Sequence, residues 1–224
     1  MKNGLALFLG VFATLALSWA GLLLSAHKQI GSLSQFKDPV EETLNPQPLS
    51  GLADQGRLVY QDLGCVSCHT QQVRHEGFGA DIERKWGQRG SYARDYIREK
   101  TVLIGHSRLG PDLRNVGVRL GETASRDEYV EWFYSLLYSP QSKAAGTNMP
   151  SYAFLFDVHP TAGRQASYDA LKLSSKYAPA GYEVVPTARA RALAAYLLSL
   201  KDTYDYPIER SLNTPAEISK EGAH

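Results

Sequence analysis

Near its N-terminus the chain carries one long apolar stretch. No charged residue occurs between Leu5 and Leu24, and as an α-helix these residues would span about 30 Å. That length matches the hydrocarbon core of a bilayer, so the pattern predicts a single transmembrane helix. A cleaved secretory signal is the alternative, with Ser18-Trp19-Ala20 as its cleavage site, but the apolar part of a signal is shorter, about 7–15 residues. We therefore expect an uncleaved anchor.

The next apolar pattern has helical spacing and runs from Leu52 to Leu63. Gly64, directly after it, is a helix stop signal. Gly56 lies on the apolar face of this predicted helix, where the missing side chain lets a second helix approach closely. The segment therefore predicts a short helix that packs against another one.

Two further helices are predicted in the second half of the chain. The capping box Ser125-Arg126-Asp127-Glu128 starts the first, and Pro140 ends it. Pro186-Thr187 opens the second, whose apolar stripe contains small residues that match the Gly56 surface. The apolar positions are Tyr129, Val130, Trp132, Phe133, Leu136 and Leu137 in the first helix, and Ala190, Leu193, Ala194, Leu197 and Leu200 in the second.

The remaining segments lack a strong apolar period. Residues 25–50 are polar, contain prolines and predict a linker, whereas residues 151–182 predict an insertion with one helical turn at 169–173. Residues 91–100 alternate apolar and charged positions like a short surface helix, and the polar stretch after residue 201 predicts an extended or disordered tail. The fold is thus mainly α, with an anchor at 1–27, a linker at 28–50, a folded domain at 51–203 and a tail at 204–224.

Charge and cysteine content narrow the function. Lys and Arg total 24 against 23 Asp and Glu. This balance gives no support to nucleic-acid binding, which needs a concentrated basic face. The two cysteines, Cys65 and Cys68, both belong to one motif, so they say little about disulfides.

The strongest chemical signal is Cys65-Val66-Ser67-Cys68-His69. Two thiols three positions apart, followed directly by an imidazole, have the spacing that attaches a c-type haem covalently. The thiols add to the porphyrin vinyl groups, and the histidine is left under the ring as the proximal iron ligand. A redox disulfide and half of a zinc site are the alternatives. The chain has no second cysteine pair for zinc, and a thioredoxin-like motif does not require His69, so we predict one covalently attached haem c.

Two downstream stretches supply the other groups that such a haem needs. A fixed turn is predicted for Gly105-His106-Ser107-Arg108-Leu109-Gly110-Pro111-Asp112-Leu113. An exposed carbonyl of this turn can accept the second ring proton of the proximal histidine. Met149 is the only methionine other than the initiator, and it precedes Pro150 on a loop. A methionine that fills a gap in a core is the alternative. The stiff backbone and the downstream position favour a thioether ligand on the face opposite His69.

Other side chains compete for roles at the haem. The remaining histidines are rival axial ligands, and of these His106 lies in the predicted turn, where a surface or propionate-contacting role is favoured over iron ligation. Arg108 fits a haem propionate because a guanidinium matches the carboxylate fork. An exposed arginine without that contact is the alternative, and both stay open. The other histidines are His27, His75, His159 and His224.

Together these motifs resemble a class I cytochrome c. More narrowly, the chain resembles the membrane-anchored monohaem subunit, subunit II (FixO/CcoO-like), of cbb3-type cytochrome c oxidases. The resemblance covers the chain from the anchor to about Leu200. It is carried by Leu5–Leu24, Gly56-Arg57-Leu58-Val59-Tyr60, Gly64-Cys65-Val66-Ser67-Cys68-His69, Arg108-Leu109-Gly110-Pro111-Asp112-Leu113 and Met149-Pro150-Ser151-Tyr152.

The resemblance implies a role for each matching residue. Cys65 and Cys68 would hold the haem thioethers, His69 and Met149 would be the axial ligands, and the Pro111 carbonyl would orient His69. The fold would be a transmembrane helix followed by a class I cytochrome c-like helical domain with insertions. The implied partners are a catalytic haem–copper oxidase subunit and a further cytochrome c subunit as electron donor. The implied location is the bacterial inner membrane.

The predicted ligands and the predicted anchor together indicate what the chain does and where. A haem with both axial positions filled has no open site for oxygen, so it carries electrons rather than activating a substrate. Lys2 on the short side of the anchor places the N-terminus in the cytoplasm and the haem domain in the periplasm. We expect a non-catalytic relay subunit of a cbb3-type oxidase. The small cytochrome c subunit of a nitric oxide reductase and a free-standing membrane-tethered cytochrome c shuttle are the alternatives.

Overall fold

A computed structural model of the chain describes residues 3–39, 41–121, 123–163 and 165–206. These residues form two compact units. The described part of the first unit comprises residues 3–39, 41–47, 92–100 and 204–206, and that of the second comprises the remaining described residues between 48 and 203. Residues 207–224, most of the predicted tail, lie outside the described residues.

The first unit begins with one continuous apolar helix. It consists of α1 (Gly4–Trp19), a π-helical stretch (Ala20–Leu24) and α2 (Ser25–Ile30). Its mean hydropathy reaches 2.1 over 18 residues, so by length and composition it can cross a membrane, although a signal sequence passes the same test. The helix continues six residues beyond the apolar stretch, through the polar residues His27 and Lys28 to Ile30.

Short β-structure follows this helix. Strand β1 (Phe36–Lys37) pairs antiparallel with β2 (Leu44–Asn45), within the stretch that was predicted as a linker. Tyr206 is fully buried and packs edge-on against Phe36 with ring centroids 5.7 Å apart. The surface helix predicted over residues 91–100 is wrong. Only a single 3₁₀ turn, Ala93–Tyr96, forms there, because alternating apolar and charged positions do not provide a helical face to bury.

The second unit is organised by two crossing helices, α3 (Gly51–Asp62) and α5 (Ala188–Ser199). At their crossing Gly56 lies so close to the backbone of Ala192 that an added Cβ would be 1.8 Å from its carbonyl oxygen. Tyr60 and Tyr196 pack edge-on beside this contact, with ring centroids 5.5 Å apart. The predicted close approach at Gly56, onto a stripe of small residues, is confirmed.

Helix α4 (Arg126–Tyr138) closes the core of the second unit. Its capping box forms in both directions as predicted, with Ser125 Oγ accepting from Glu128 N and Glu128 Oε2 accepting from Ser125 N at 2.7 Å. Phe133 on its inner face is almost fully buried and belongs to the same core as the aromatic rings of α3 and α5. Such aromatic burial supplies much of the hydrophobic stabilisation of a small domain.

The predicted insertion contains strands rather than a helical turn. Strand β3 (Phe156–Pro160) pairs antiparallel with β4 (Tyr182–Pro186), which leads directly into α5. Phe156 packs edge-on against two tyrosine rings of α4, Tyr134 and Tyr138. The helical turn predicted at 169–173 is wrong, because the backbone there turns to place Leu171 N on the Val184 carbonyl oxygen, 2.9 Å away. The described part of the chain is mainly helical, as predicted.

Candidate haem-binding site

The end of α3 presents the two cysteines. The helix stops at Asp62, and Gly64 takes a left-handed conformation with φ of 71° that residues with a Cβ rarely adopt. A 3₁₀ turn over Cys65–Ser67 follows, in which the Cys65 carbonyl accepts from the backbone N–H of both Cys68 and His69. The two thiols are not joined in a disulfide. The cysteines therefore lie within one tight turn with both thiols free to react.

The predicted turn at residues 105–113 lies directly against this motif. Gly105 has a φ of 92°, and a Cβ there would lie 2.4 Å from the His69 carbonyl oxygen, so only glycine fits. Four hydrogen bonds join the two segments along their length. They run from His106 N to Val66 O (3.1 Å), Ser107 Oγ to Ser67 O (2.6 Å), Gly110 N to Cys68 O (2.9 Å) and Leu113 N to Thr70 O (2.8 Å).

The imidazole of His69 is held by this turn. Its Nδ1 lies 2.8 Å from the Pro111 carbonyl oxygen. Because a carbonyl oxygen only accepts, Nδ1 carries the proton and Nε2 keeps its lone pair. Gly110 packs on the ring so closely that a Cβ would lie 2.3 Å from His69 Cε1. Burial lowers the pKa of His69 below its usual value, although the Pro111 carbonyl opposes this, and a neutral imidazole is the form that binds a metal.

The carboxylate of Asp112 fixes the far side of the same turn. The residue is fully buried. One carboxylate oxygen accepts from Thr70 Oγ1 at 2.6 Å and from Gln72 N at 2.8 Å, and the other accepts from Arg114 N at 2.8 Å. The residues that follow His69 are thereby tied to the residues that follow Pro111.

A second buried carboxylate, Asp81, was not identified from the sequence. It accepts hydrogen bonds from Arg74, through the backbone N–H and the guanidinium, and from Arg108 Nη1 at 2.7 Å. Arg108 Nη2 also donates to the Gln72 carbonyl oxygen at 2.6 Å. The predicted contact of Arg108 with a haem propionate stays a prediction, since the carboxylate that Arg108 binds in this structure is that of Asp81.

Arg119 also lies beside His69 and was not identified either. Its positive charge adds to the lowering of the His69 pKa, and burial lowers the pKa of its own guanidinium. Arg119 Nη2 donates to the Asp112 carbonyl oxygen, whereas its buried Nε has no hydrogen-bond partner among the described residues. A buried N–H donor without a partner is costly. The position of Arg119 eight residues after Pro111, in a run of otherwise apolar residues, was the available sequence signal.

Met149 lies on a loop that packs against the same core as the haem motif. Its half-buried side chain and those of Cys65 and Val66 all contact this core. The loop is fastened to the end of α4, because Tyr152 N donates to Leu137 O at 2.8 Å. Burial, together with the adjacent Cys65 thiol, raises the pKa of the Tyr152 phenol to about 12. The fold therefore brings the methionine loop to the cysteines, while iron ligation by Met149 stays a prediction.

These groups fit a haem. Two free thiols would form the thioethers, a neutral imidazole with its Nε2 lone pair available would bind the iron, and the propionates would give the buried Nε–H of Arg119 an acceptor. The thioether of Met149 is on the loop that contacts Cys65. The described residues contain no cluster of three or more His, Cys, Asp or Glu side chains.

Comparison with known proteins agrees with this chemistry. The family model described as "Cytochrome C oxidase, mono-heme subunit/FixO" matches residues 3–201, which covers the apolar helix and the second unit as far as residue 201. No curated protein matches the chain. The match favours the oxidase over the nitric oxide reductase and over the free shuttle, and it accounts for one haem. Since the match extends over most of the chain, the protein belongs to the FixO family of mono-haem cytochrome c oxidase subunits, with an N-terminal apolar helix followed by a cytochrome c-like helical domain.

Proposed function

We propose that this chain carries one covalently attached haem c and passes electrons to the catalytic haem–copper subunit of a cbb3-type oxidase. The family membership supports a mono-haem oxidase subunit. The single observation that carries the residue assignment is the 2.8 Å contact between His69 Nδ1 and the Pro111 carbonyl oxygen, directly after two free cysteines. That contact leaves Nε2 available and fixes the ring plane.

The residues have separate tasks at this site. The Cys65 and Cys68 thiols would hold the haem as two thioethers, each formed by addition of one S–H across one vinyl group, which consumes no external oxidant. His69 Nε2 and Met149 Sδ would both bind the iron and leave no position for water. Arg119 would place its unpartnered Nε–H and its positive charge at a propionate. When bound, the haem supplies a one-electron couple whose potential is raised by the thioether ligand.

Covalent attachment is tested on the full chain under denaturing conditions. Purified protein should retain haem peroxidase stain on a denaturing gel. The double variant Cys65→Ala/Cys68→Ala should lose the stain, because no thioether can form. Ser67→Ala is the matched control, since it lies in the same turn and uses its carbonyl rather than its hydroxyl to accept from Ser107. A colourless wild-type chain would refute the assignment.

The relay role is tested by what remains bound after mild detergent extraction. Mass spectrometry and metal analysis should identify a partner chain that contains haem and copper. Within that complex, a reduced donor should reduce the haem of this chain before the catalytic haems. A partner with non-haem iron, or a catalytic subunit that is reduced equally fast without this chain, would contradict the proposal.

Membrane anchoring and orientation belong to the same proposal. Covalent haem attachment occurs on exported chains, so the second unit would lie in the periplasm and the N-terminus in the cytoplasm. Leu15→Arg places a charge near the middle of the helix, which costs roughly 3 kcal/mol of insertion free energy, and should reduce membrane retention. Leu52→Arg, on an exposed position of α3, is the control. Protease added to spheroplasts should digest the second unit, and protection from it would contradict the orientation.

A further inference from the structure

Asp81 is a fully buried carboxylate for which the proposed haem chemistry has no use. It lies twelve residues after His69, in a segment without helix or strand. Its two oxygens receive hydrogen bonds from two different arginines, Arg74 and Arg108. Removing a carboxylate from water is costly unless strong donors replace the solvent, and two guanidiniums provide such donors. A group of this cost is expected to hold something in place.

The two arginines reach different parts of the site. Arg74 belongs to the same segment as Asp81, seven residues before it, so their contact folds that segment onto itself. Arg108 comes from the other side, 27 residues after Asp81 and three residues before Pro111. Its guanidinium makes two contacts at once, to Asp81 Oδ2 at 2.7 Å and to the Gln72 carbonyl oxygen at 2.6 Å. Asp81 therefore holds Arg108, in the middle of the turn whose Pro111 carbonyl contacts His69.

The end of that turn is fastened separately. Asp112 directly follows Pro111 and binds Thr70 and Gln72, which come one and three residues after His69. The Pro111 carbonyl thus lies between two carboxylate anchors, one reached through Arg108 and one adjacent in the chain. Without the Arg108 contact, residues 108–110 would keep only the backbone hydrogen bond from Gly110 N to Cys68 O, next to His106 and Ser107, which bind Val66 O and Ser67 O.

We propose that Asp81, acting through Arg108, is a positioning residue that sets the hydrogen bond between the Pro111 carbonyl and His69. The inference deepens the proposed function, because His69 is there the iron ligand. A carbonyl at 2.8 Å from Nδ1 increases the electron donation of the imidazole. Loosening this contact makes the ligand a weaker donor and favours reduced over oxidised iron, so the midpoint potential rises.

The test compares variants that remove the Asp81 carboxylate or one of its two arginine partners. In the full chain with haem bound and labelled histidine, NMR of the reduced state follows the solvent exchange of the His69 Nδ1–H proton. Asp81→Asn and Arg108→Gln should each speed this exchange about tenfold, the factor expected for losing one charge-assisted hydrogen bond. Arg74→Gln is the matched control, since it leaves the Arg108 contact intact, and its exchange rate should stay within about twofold of wild type.

Two further measurements separate positioning from general stability. The midpoint potential should rise in Asp81→Asn and in Arg108→Gln but not in Arg74→Gln, and Arg108→Lys should restore part of the protection because a lysine retains one donor for Asp81. If Asp81→Asn does not fold, Arg108→Gln decides alone, since the Arg108 side chain is 24% exposed and tolerates change. Exchange in Arg108→Gln at the wild-type rate would overturn the proposal, and so would an equal increase in Arg74→Gln.

The outcomes also distinguish this inference from the proposed function. A wild-type chain without covalent haem would refute the proposed function. In that case the exchange of the His69 Nδ1–H proton is measured in the haem-free full chain and still decides the role of Asp81, because the hydrogen bond from His69 to Pro111 lies within the polypeptide.

Discussion

The substitution Gly56→Ala tests the helix crossing on which the haem motif rests. The new Cβ would lie 1.8 Å from the Ala192 carbonyl oxygen and 2.8 Å from Tyr196 Cβ. Contacts below 3.0 Å are essentially never observed for a real Cβ, and a backbone carbonyl in a helix cannot rotate away. The two helices must therefore separate by more than about 1 Å, which also opens the packing around the Tyr196 ring.

The expected cost follows from two opposing effects. Overpacking a well-filled contact typically costs about 1–3 kcal/mol and occasionally more, and here the obstacle is backbone rather than a flexible side chain. Alanine in place of glycine in a helix interior returns about 1 kcal/mol. We expect a net loss of roughly 1–2 kcal/mol in the free energy of unfolding. For a unit of about 150 residues this lowers the melting temperature by roughly 2–8 °C.

Unfolding of the full chain in detergent, followed by circular dichroism, measures this loss. Gly51→Ala is the matched control, because Gly51 begins the same helix and has no atom within 4 Å of an added Cβ. That variant should be as stable as wild type or slightly more so. Haem loading should fall with Gly56→Ala, since α3 carries Cys65 at its end. Equal stability of the two alanine variants would refute the close crossing of α3 and α5.

Three other predictions concern the site directly. Met149→Ala should remove the thioether-to-iron absorption band and lower the midpoint potential by on the order of 0.1 V, because axial ligands spread haem potentials over roughly 0.8 V; an unchanged spectrum would place the sixth ligand elsewhere. Gly110→Ala should displace the His69 ring and reduce the fraction of low-spin haem, whereas Leu109→Ala, at an 85% exposed neighbour, should leave the spectrum unchanged. Burial raises the pKa of Asp81, but hydrogen bonds from two arginines outweigh this and hold the pKa below its usual value of about 3.9. The Asp81 carboxylate therefore contributes its full stabilisation at a pH above about 3.9 and loses it as the pH falls through the lower folded-state pKa. Urea midpoints measured from pH 6 to pH 3 should fall more steeply for wild type than for Asp81→Asn.

The parts of the fold that could be predicted are those encoded within a few residues. The stop of α3 at Gly64, the capping box at Ser125 and the start of α5 at Thr187 each depend on one short pattern, and each lies where the sequence indicates. The same holds for the approach of two helices at Gly56, where a glycine on an apolar face can be matched with a small-residue stripe. Local chemistry determines these features.

The parts that could not be predicted depend on pairings distant in sequence. Strands β3 and β4 are separated by more than 20 residues of irregular chain, and only their mutual register gives either of them a strand conformation. The burial of Asp81 could not be predicted either, since nothing near it in sequence indicates that Arg108 will bind it. A polar residue whose partner arrives from another loop looks, in sequence alone, like an ordinary exposed aspartate.

The proposed haem site combines groups that are adjacent in sequence with groups that are distant in sequence. The groups on which the proposed haem attachment rests, Cys65, Cys68 and His69, are adjacent in sequence. The groups that determine how strongly His69 donates to a metal are not adjacent. They are the Pro111 carbonyl and, through Arg108, the carboxylate of Asp81. With the ligands unchanged, the potential should therefore follow the geometry of this turn, because shifting the Pro111 carbonyl by a few tenths of an ångström changes the electron donation of the imidazole.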